Sequence, residues 1–324
     1  MKSILGIGNA LVDILATLDN DKLLQQFNLP KGSMQHVDEA VSSHIWNEIR
    51  TRDVQIVAGG STSNTLNGTA GLGMPSTFIG KTGKDELGRL FADDQQAHGL
   101  QSHLLHSPQA TGHCTVFITP DAERTMATYL GAAIDLVPDD LQPDMFDGYD
   151  YFHIEGYLVQ NPDLVRRAVT LAKSKGLLIS LDLASYNVVE AHKTFLADII
   201  QHYVDIVFAN EAEAAVFTGH PPLSAVEKLS HHCQIAVVKI GDQGSLIQRG
   251  TEQHIVPACP ARAIDATGAG DLYASGFLYA HAIGLPLAQC GVMASTVAAK
   301  VVEIIGCRID KSTWKSLREL TIEH

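Results

Sequence analysis

Residues 151–210, YFHIEGYLVQNPDLVRRAVTLAKSKGLLISLDLASYNVVEAHKTFLADIIQHYVDIVFAN, switch back and forth between two hydrophobic periods. Short apolar runs at Tyr151 to Ile154, Leu177 to Leu181 and Val204 to Ala209 read as buried strands. Between them, Pro162 to Ser174 and Val188 to Gln201 read as helices. Strand and helix in strict alternation imply parallel strands with helices on both faces, and in such sheets ligands gather at the strand carboxyl ends. Standing there are Glu155, Asp182, Asn210 and Glu213, and, after a further strand Ile235 to Ile240, the turn Gly241 to Gly244.

Toward the C-terminus, Ser245 to Gln248 and Gln253 to Val256 read as a hairpin, followed by helices over Gly270 to Ile283 and Pro286 to Ile304. Toward the N-terminus, Ser3 to Gly8 is a buried strand and Leu11 to Leu18 a second extended segment. Gly32 to Val37 is another strand, Asp38-Glu39 opens a helix toward Arg50, and Asp85 to Ala97 is an amphipathic helix. Thr111 to Thr119 and Thr125 to Leu130 are β-rich runs joined by Pro120-Asp121-Ala122-Glu123-Arg124, a hairpin with a charged tip. With the strands at 11–18 and 33–37 they are expected to form a small sheet that acts as a lid on a single α/β domain spanning 1–324.

Asp265-Ala266-Thr267-Gly268-Ala269-Gly270-Asp271 sits between the hairpin and the first of the closing helices. Small residues let backbone N–H groups converge on an anion, and the helix N-terminus adds partial positive charge. Asp271, in the first helical turn, suits a base that takes a proton from a hydroxyl while phosphate is held nearby. A second glycine-rich turn, Ala58-Gly59-Gly60-Ser61-Thr62-Ser63-Asn64, follows the strand Val54 to Val57 and leads into a helix over Thr65 to Leu72. Its paired glycines admit a ligand close to the backbone, and Asn64 can offer its amide to a hydroxylated molecule. Asn210 and Glu213, three residues apart on one helix face, can hold a hydrated magnesium ion near phosphates.

Other chemistries find less support. Gly6-Ile7-Gly8 lacks the third glycine of a dinucleotide fingerprint, where Leu11 stands, and Gly80-Lys81-Thr82 lacks the first glycine of a Walker A loop, where Pro75 stands. A formal charge of −13 argues against nucleic acid and anionic membrane as partners, which leaves small molecules. The five cysteines show no CxxC pair, and no apolar run is long enough for a signal peptide or a membrane span, so a cytoplasmic protein is expected.

In this order the motifs resemble the ribokinase, or phosphofructokinase B, family of sugar and nucleoside kinases, from Gly8-Asn9 to Gly306-Cys307. The resemblance rests on Gly59-Gly60 with Asn64, on Gly80-Lys81-Thr82-Gly83-Lys84-Asp85-Glu86-Leu87-Gly88 and on Asp265 to Asp271. It implies a doubly wound, mostly parallel sheet with a small β-sheet lid. It also implies an ATP- and Mg2+-dependent phosphotransferase with an alcohol as acceptor. By this resemblance Asp271 is the catalytic base, Gly268, Ala269 and Gly270 form an anion hole, and Asn210 and Glu213 hold Mg2+ through water. Lys239, Gly241, Gly244 and Thr267 lie beside ATP, and Asp265 is a candidate ligand for a monovalent cation such as K+.

Gly8-Asn9-Ala10-Leu11-Val12-Asp13-Ile14 and Thr111-Gly112-His113-Cys114 run parallel to the adenosine-kinase branch. That similarity implies that Asp13, Gly59, Gly60 and Asn64 contact ribose and that Arg124 reaches the phosphates. Two departures stand out. Met34, Gln35, His36, Glu155, Gly156 and Tyr157 occupy positions where adenosine kinases present apolar and aromatic residues to the base, and Lys239 stands where the family often has threonine. The expected substrate is a ribose-containing nucleoside, adenosine first, with a free sugar such as ribose or fructose as the alternative and a noncatalytic binding protein as the reading from another class. The resemblance admits a monomer or a lid-mediated homodimer.

Overall fold

The computed structural model describes residues 1–121 and 123–320; Ala122, within the segment read as a hairpin turn, and residues 321–324 lie outside the described residues. In chain order the strands are β1 (Ile4–Ile7), β2 (Leu11–Thr17), β3 (Met34–His36), β4 (Val54–Ala58), β5 (Ser76–Gly83), β6 (Gln101–Ser107), β7 (Gly112–Ile118), β8 (Arg124–Tyr129), β9 (Tyr151–Glu155), β10 (Leu178–Asp182), β11 (Ile206–Asn210), β12 (Ile235–Lys239), β13 (Ser245–Arg249) and β14 (Glu252–Val256). The helices are α1 (Lys22–Gln26), α2 (Glu39–Ile49), α3 (Ser61–Gly71), α4 (Glu86–Ala97), α5 (Pro162–Ser174), α6 (Tyr186–Tyr203), α7 (Glu211–Thr218), α8 (Pro222–Ser230), α9 (Ala269–Ala282), α10 (Leu287–Val302) and α11 (Lys311–Glu319).

The larger sheet has the order β14-β13-β12-β11-β10-β9-β1-β5-β6, parallel from β12 to β6, with β13 and β14 as an antiparallel edge. All four residues of β1 and all five of β9 are buried, as strands covered on both faces must be. Alternation then sorts their side chains. Leu5, Ile7, Phe152 and Ile154 pack under α5 to α8, while Ile4, Phe78, Tyr151 and Phe208 pack under α3, α9, α10 and α11.

The smaller sheet has the order β3-β8-β7-β2-β4. One face sends Ile14, Ala16 and Leu18 against Leu23 and Leu24 of α1 and Ile45 and Ile49 of α2. A fully buried side chain such as Ile45 contributes about 1.5–3 kcal/mol to holding these layers together. The other face carries Leu15, Cys114 and Val116, with Met126 beside them.

Several elements differ from the reading of the sequence, which includes neither α1, β5 nor α8. β4, read as a strand leading to a glycine turn, pairs with β2 and so belongs to the small sheet. β6 has an exposed, histidine-bearing edge without an apolar run. α11 is short and amphipathic, with Trp314 and Leu317 as its buried stripe, and lies beyond the last helix read from the sequence.

Candidate active site

Two of the four passages of the chain between the sheets run from β1 through Gly8-Asn9-Ala10 into β2 and from β4 through Gly59-Gly60 into α3. These crossings lie side by side, with the Gly59 N–H donating to the Leu11 carbonyl at 2.9 Å. Gly60 has φ +86°, and a Cβ there would stand 2.5 Å from the Asn9 carbonyl oxygen, while a Cβ on Gly59 would overlap the Asp13 carboxylate. Both glycines are therefore demanded by close approach. Beneath them Glu155, 1% exposed, accepts from the Asn9 N–H (3.0 Å), Asn9 Nδ2 (2.8 Å) and the Thr62 N–H (2.9 Å). Burial raises its pKa, and the three donors fix its carboxylate as a clamp on both crossings.

α3 is buried from Thr62 to Thr69 although its residues are mostly small and polar. Those small side chains let it lie close to α9, where Gly68 faces Ser275. The two helix N-termini thus open onto one place. There Asp271 accepts from Ser61 Oγ at 2.7 Å and from Asn64 Nδ2 at 3.0 Å. Burial raises the Asp271 pKa to about 7, against the two hydrogen bonds, which lower it. Asn64 Oδ1 in turn accepts from Arg308 Nη1 at 3.0 Å, and Arg308 also bonds the Ala58 carbonyl and pairs with Asp94 of α4 at 2.8 Å. Nothing local in the sequence points to Arg308, whose partner Asn64 lies 244 residues away. Ser61 stood within the glycine-rich turn and could have been singled out as a hydroxyl at a helix start.

Asp13 points from β2 into the same cavity, and burial lifts its pKa to about 6, against the nearby Arg308 and Arg124. Asn210 and Glu213 form a reciprocal cap at the start of α7. Glu213 N–H donates to Asn210 Oδ1 at 2.9 Å, and Glu213 accepts from the Asn210 N–H at 2.8 Å and from its Nδ2 at 2.6 Å. Burial, then the Asp182 charge, raises Glu213 to about 7. Lys239, last residue of β12, pairs with Asp182 at 2.8 Å.

From the small sheet, Arg124 reaches across to Thr267 Oγ1 and pairs with Asp265 at 2.5 Å. Asp265 also accepts from the Thr267 N–H (2.7 Å) and the Gly306 N–H (2.8 Å), so its carboxylate anchors the loop. Gly268, at φ +70°, caps α9, and Ala269 is the first residue of that helix.

One cavity of about 800 Å³ unites these groups. Asp13, Gly60, Asn64, Arg124, Asn210, Glu213, Lys239, Gly241, Thr267, Gly268, Gly270 and Asp271 all line it. Gly59, Ala269 and Asp265 stand just behind its wall. Gly244, at φ +103°, packs against the carbonyl of Val256 instead, so it shapes the turn rather than the cavity. At the far end Leu11, Met34, Val116, Met126 and Leu130 make an apolar surface. Its rim carries His36, hydrogen-bonded to Gln160 at 3.1 Å between ring and amide nitrogens. Gln35 lies exposed on β3, outside that surface.

Residues 32–314 match the family described as pfkB family carbohydrate kinase. The chain is 29% identical over 312 residues to an adenosine kinase of Schizophyllum commune, covering 87% of this chain and 89% of the other. Among solved structures, it is similar to a probable sugar kinase from Rhizobium etli, with 31% identity, a TM-score of 0.91 and 99% of each chain covered. It is equally similar to an adenosine kinase from Sinorhizobium meliloti, with 32% identity, a TM-score of 0.91 and coverage of 98% of this chain and 99% of the other.

Proposed function

The chain belongs to the pfkB family of carbohydrate kinases, and from that premise we propose that it transfers the γ-phosphoryl group of ATP to the primary hydroxyl of a ribose-containing nucleoside, adenosine first. The family makes it a phosphotransferase for a sugar or nucleoside. The choice of a nucleoside is carried by the apolar end of the cavity. A nucleobase would cover Met34, Val116, Met126 and Leu130, whereas a free sugar would leave that surface wet.

In this reading Asp13 and Asn64 hold the vicinal hydroxyls of the ribose, with Gly59 and Gly60 letting it approach the backbone. The primary hydroxyl gives its proton to Asp271 as its oxygen attacks the γ-phosphorus, and the bond to the bridging oxygen breaks with its electron pair leaving on ADP. N–H groups at Gly268, Ala269 and Gly270 stabilise the charge that develops, and Arg124 and Thr267 close the site from the side of the small sheet. Gly241 sits beside the nucleotide.

Kinases of this family use ATP and Mg2+. Asn210 and Glu213 offer oxygen donors only, which suits that hard ion. Among the described residues no three His, Cys, Asp or Glu groups cluster closely enough to chelate a metal, so they would hold it through its water shell. When bound, the ion neutralises the phosphates. Five free cysteines fit a reducing compartment, the cytoplasm.

Comparing kcat/KM for adenosine, inosine, guanosine, ribose and fructose tests the assignment. A ribonucleoside, with adenosine ahead, is the expected best substrate. A free sugar leading by about tenfold, a difference of roughly 1.4 kcal/mol in transition-state binding, overturns the nucleoside reading and leaves the kinase reading standing.

A further inference from the structure

Lys239 carries its ammonium group in the wall of the catalytic cavity, where a lysine needs a reason. Holding it there costs side-chain entropy together with part of its hydration. Its Nζ bonds Asp182 Oδ2 at 2.8 Å, an ion pair whose side chains are only 15% and 7% exposed. Burial works against the charge, yet the carboxylates of Asp182, Glu213 and Asp271 outweigh it and raise the lysine pKa. The ammonium is therefore a positive charge paired with Asp182 and within electrostatic reach of Glu213 and Asp271, the last of them the proposed base.

Its second neighbour gives the position meaning. A Cβ built on Gly270 would stand 3.0 Å from Nζ, so the ammonium lies against the first turn of α9, beside the N–H groups of the glycine loop. A counter-ion for Asp182 alone has no need to reach that loop. Both Lys239 and Gly270 line the cavity, and no side chain intervenes on the glycine.

We propose that Lys239 is a catalytic residue, its ammonium turning from Asp182 to a non-bridging oxygen of the phosphoryl group as that group passes over the loop at Gly268–Gly270. The inference rests on the kinase reading. The acceptor hydroxyl gives its proton to Asp271, its oxygen bonds the γ-phosphorus, and the bridging bond breaks with its electrons on ADP. Lys239 keeps its own proton and shares it in a hydrogen bond, a point charge added to the N–H groups of the loop.

A double-mutant cycle of Lys239→Met and Asp182→Asn tests this, with melting temperature and ADP affinity checking that each variant is folded. Lys239→Met should lower kcat by about 10²–10³-fold, the usual cost of one transition-state donor, with nucleoside KM nearly unchanged. Aluminium fluoride, which mimics the group in transfer, should tighten ADP binding in the wild-type protein with acceptor present and fail to do so in the variant. Removing both charges spares the fold an unpaired buried carboxylate, yet the double variant should stay well below Asp182→Asn alone in kcat.

If the double variant instead matches Asp182→Asn in kcat and in fluoride-dependent ADP binding, Lys239 is only the counter-ion of Asp182 and the proposal falls. A wild-type protein that moves phosphate from ATP to none of the nucleosides or sugars overturns the kinase reading itself, and the role of Lys239 with it.

Discussion

Asp271 is held between opposing influences, burial raising its pKa and the bonds from Ser61 and Asn64 lowering it, with a result of about 7. As the proposed base it must be ionised, so kcat/KM is expected to rise with pH through about 7 and level off above it. Asp271→Asn keeps the shape and removes the proton acceptor; turnover should fall by roughly 10²–10⁴-fold with ATP binding retained, as single-turnover and binding measurements would read. The same raised pKa has the opposite sign for stability. The protonated carboxyl is the form the fold prefers, so its contribution is complete below the ordinary carboxylate range and is lost as pH rises through about 7. Asp13 and Glu213 act in the same direction. At this scale Asp271 was legible because its loop is local in the chain. Arg308, which orients Asn64, was not, since only the fold brings those two together.

Among the elements, α7 shows how one motif can serve two ends. The sequence presented Asn210 and Glu213 as an amide and a carboxylate on one helix face, and they are also the reciprocal cap that starts the helix. Asn210→Ala should therefore cost about 1 kcal/mol in chemical denaturation, the usual worth of an N-cap. It should also raise the Mg2+ concentration needed for half-maximal rate. Loss of stability with an unchanged Mg2+ dependence would make the pair a cap and nothing more. Strands buried on both faces were readable as apolar runs, and α5 runs from Pro162 to Ser174 as its start signal and period require. β6 escaped because it buries too few residues to impose a period, whereas α11 was legible from the Trp314 and Leu317 stripe of an otherwise polar helix. The burial of α3 escaped for another reason: Thr62, Ser63, Asn64, Thr65, Asn67 and Thr69 are polar residues inside the molecule, which no hydrophobic pattern announces.

For the molecule as a whole, alternation of strand and helix was enough to read a parallel sheet whose strand carboxyl ends, at Glu155, Asp182, Asn210 and Lys239, line the cavity. It could not reveal that β4 joins the small sheet, because strand pairing is a long-range choice. The small sheet also bears on assembly. Its outer face is already covered by α1 and α2 and its inner face looks onto the cavity, so among the described residues it offers no bare apolar surface to a second copy. Light scattering coupled to gel filtration should give a monomer, near the 34.9 kDa of one chain, and a doubled mass would favour the homodimer instead.

The paired crossings at Gly8-Asn9-Ala10 and Gly59-Gly60 are two of the four passages of the chain between the sheets, the others following β6 and β8, and Asp13, Gly60 and Asn64 lie on them or within a few residues of them. A ligand that rests on these two passages bears on both sheets at once. Under the proposed function, sugar affinity and cover closure become one linked equilibrium: whatever favours closure tightens the sugar, and the sugar repays the same free energy by favouring closure.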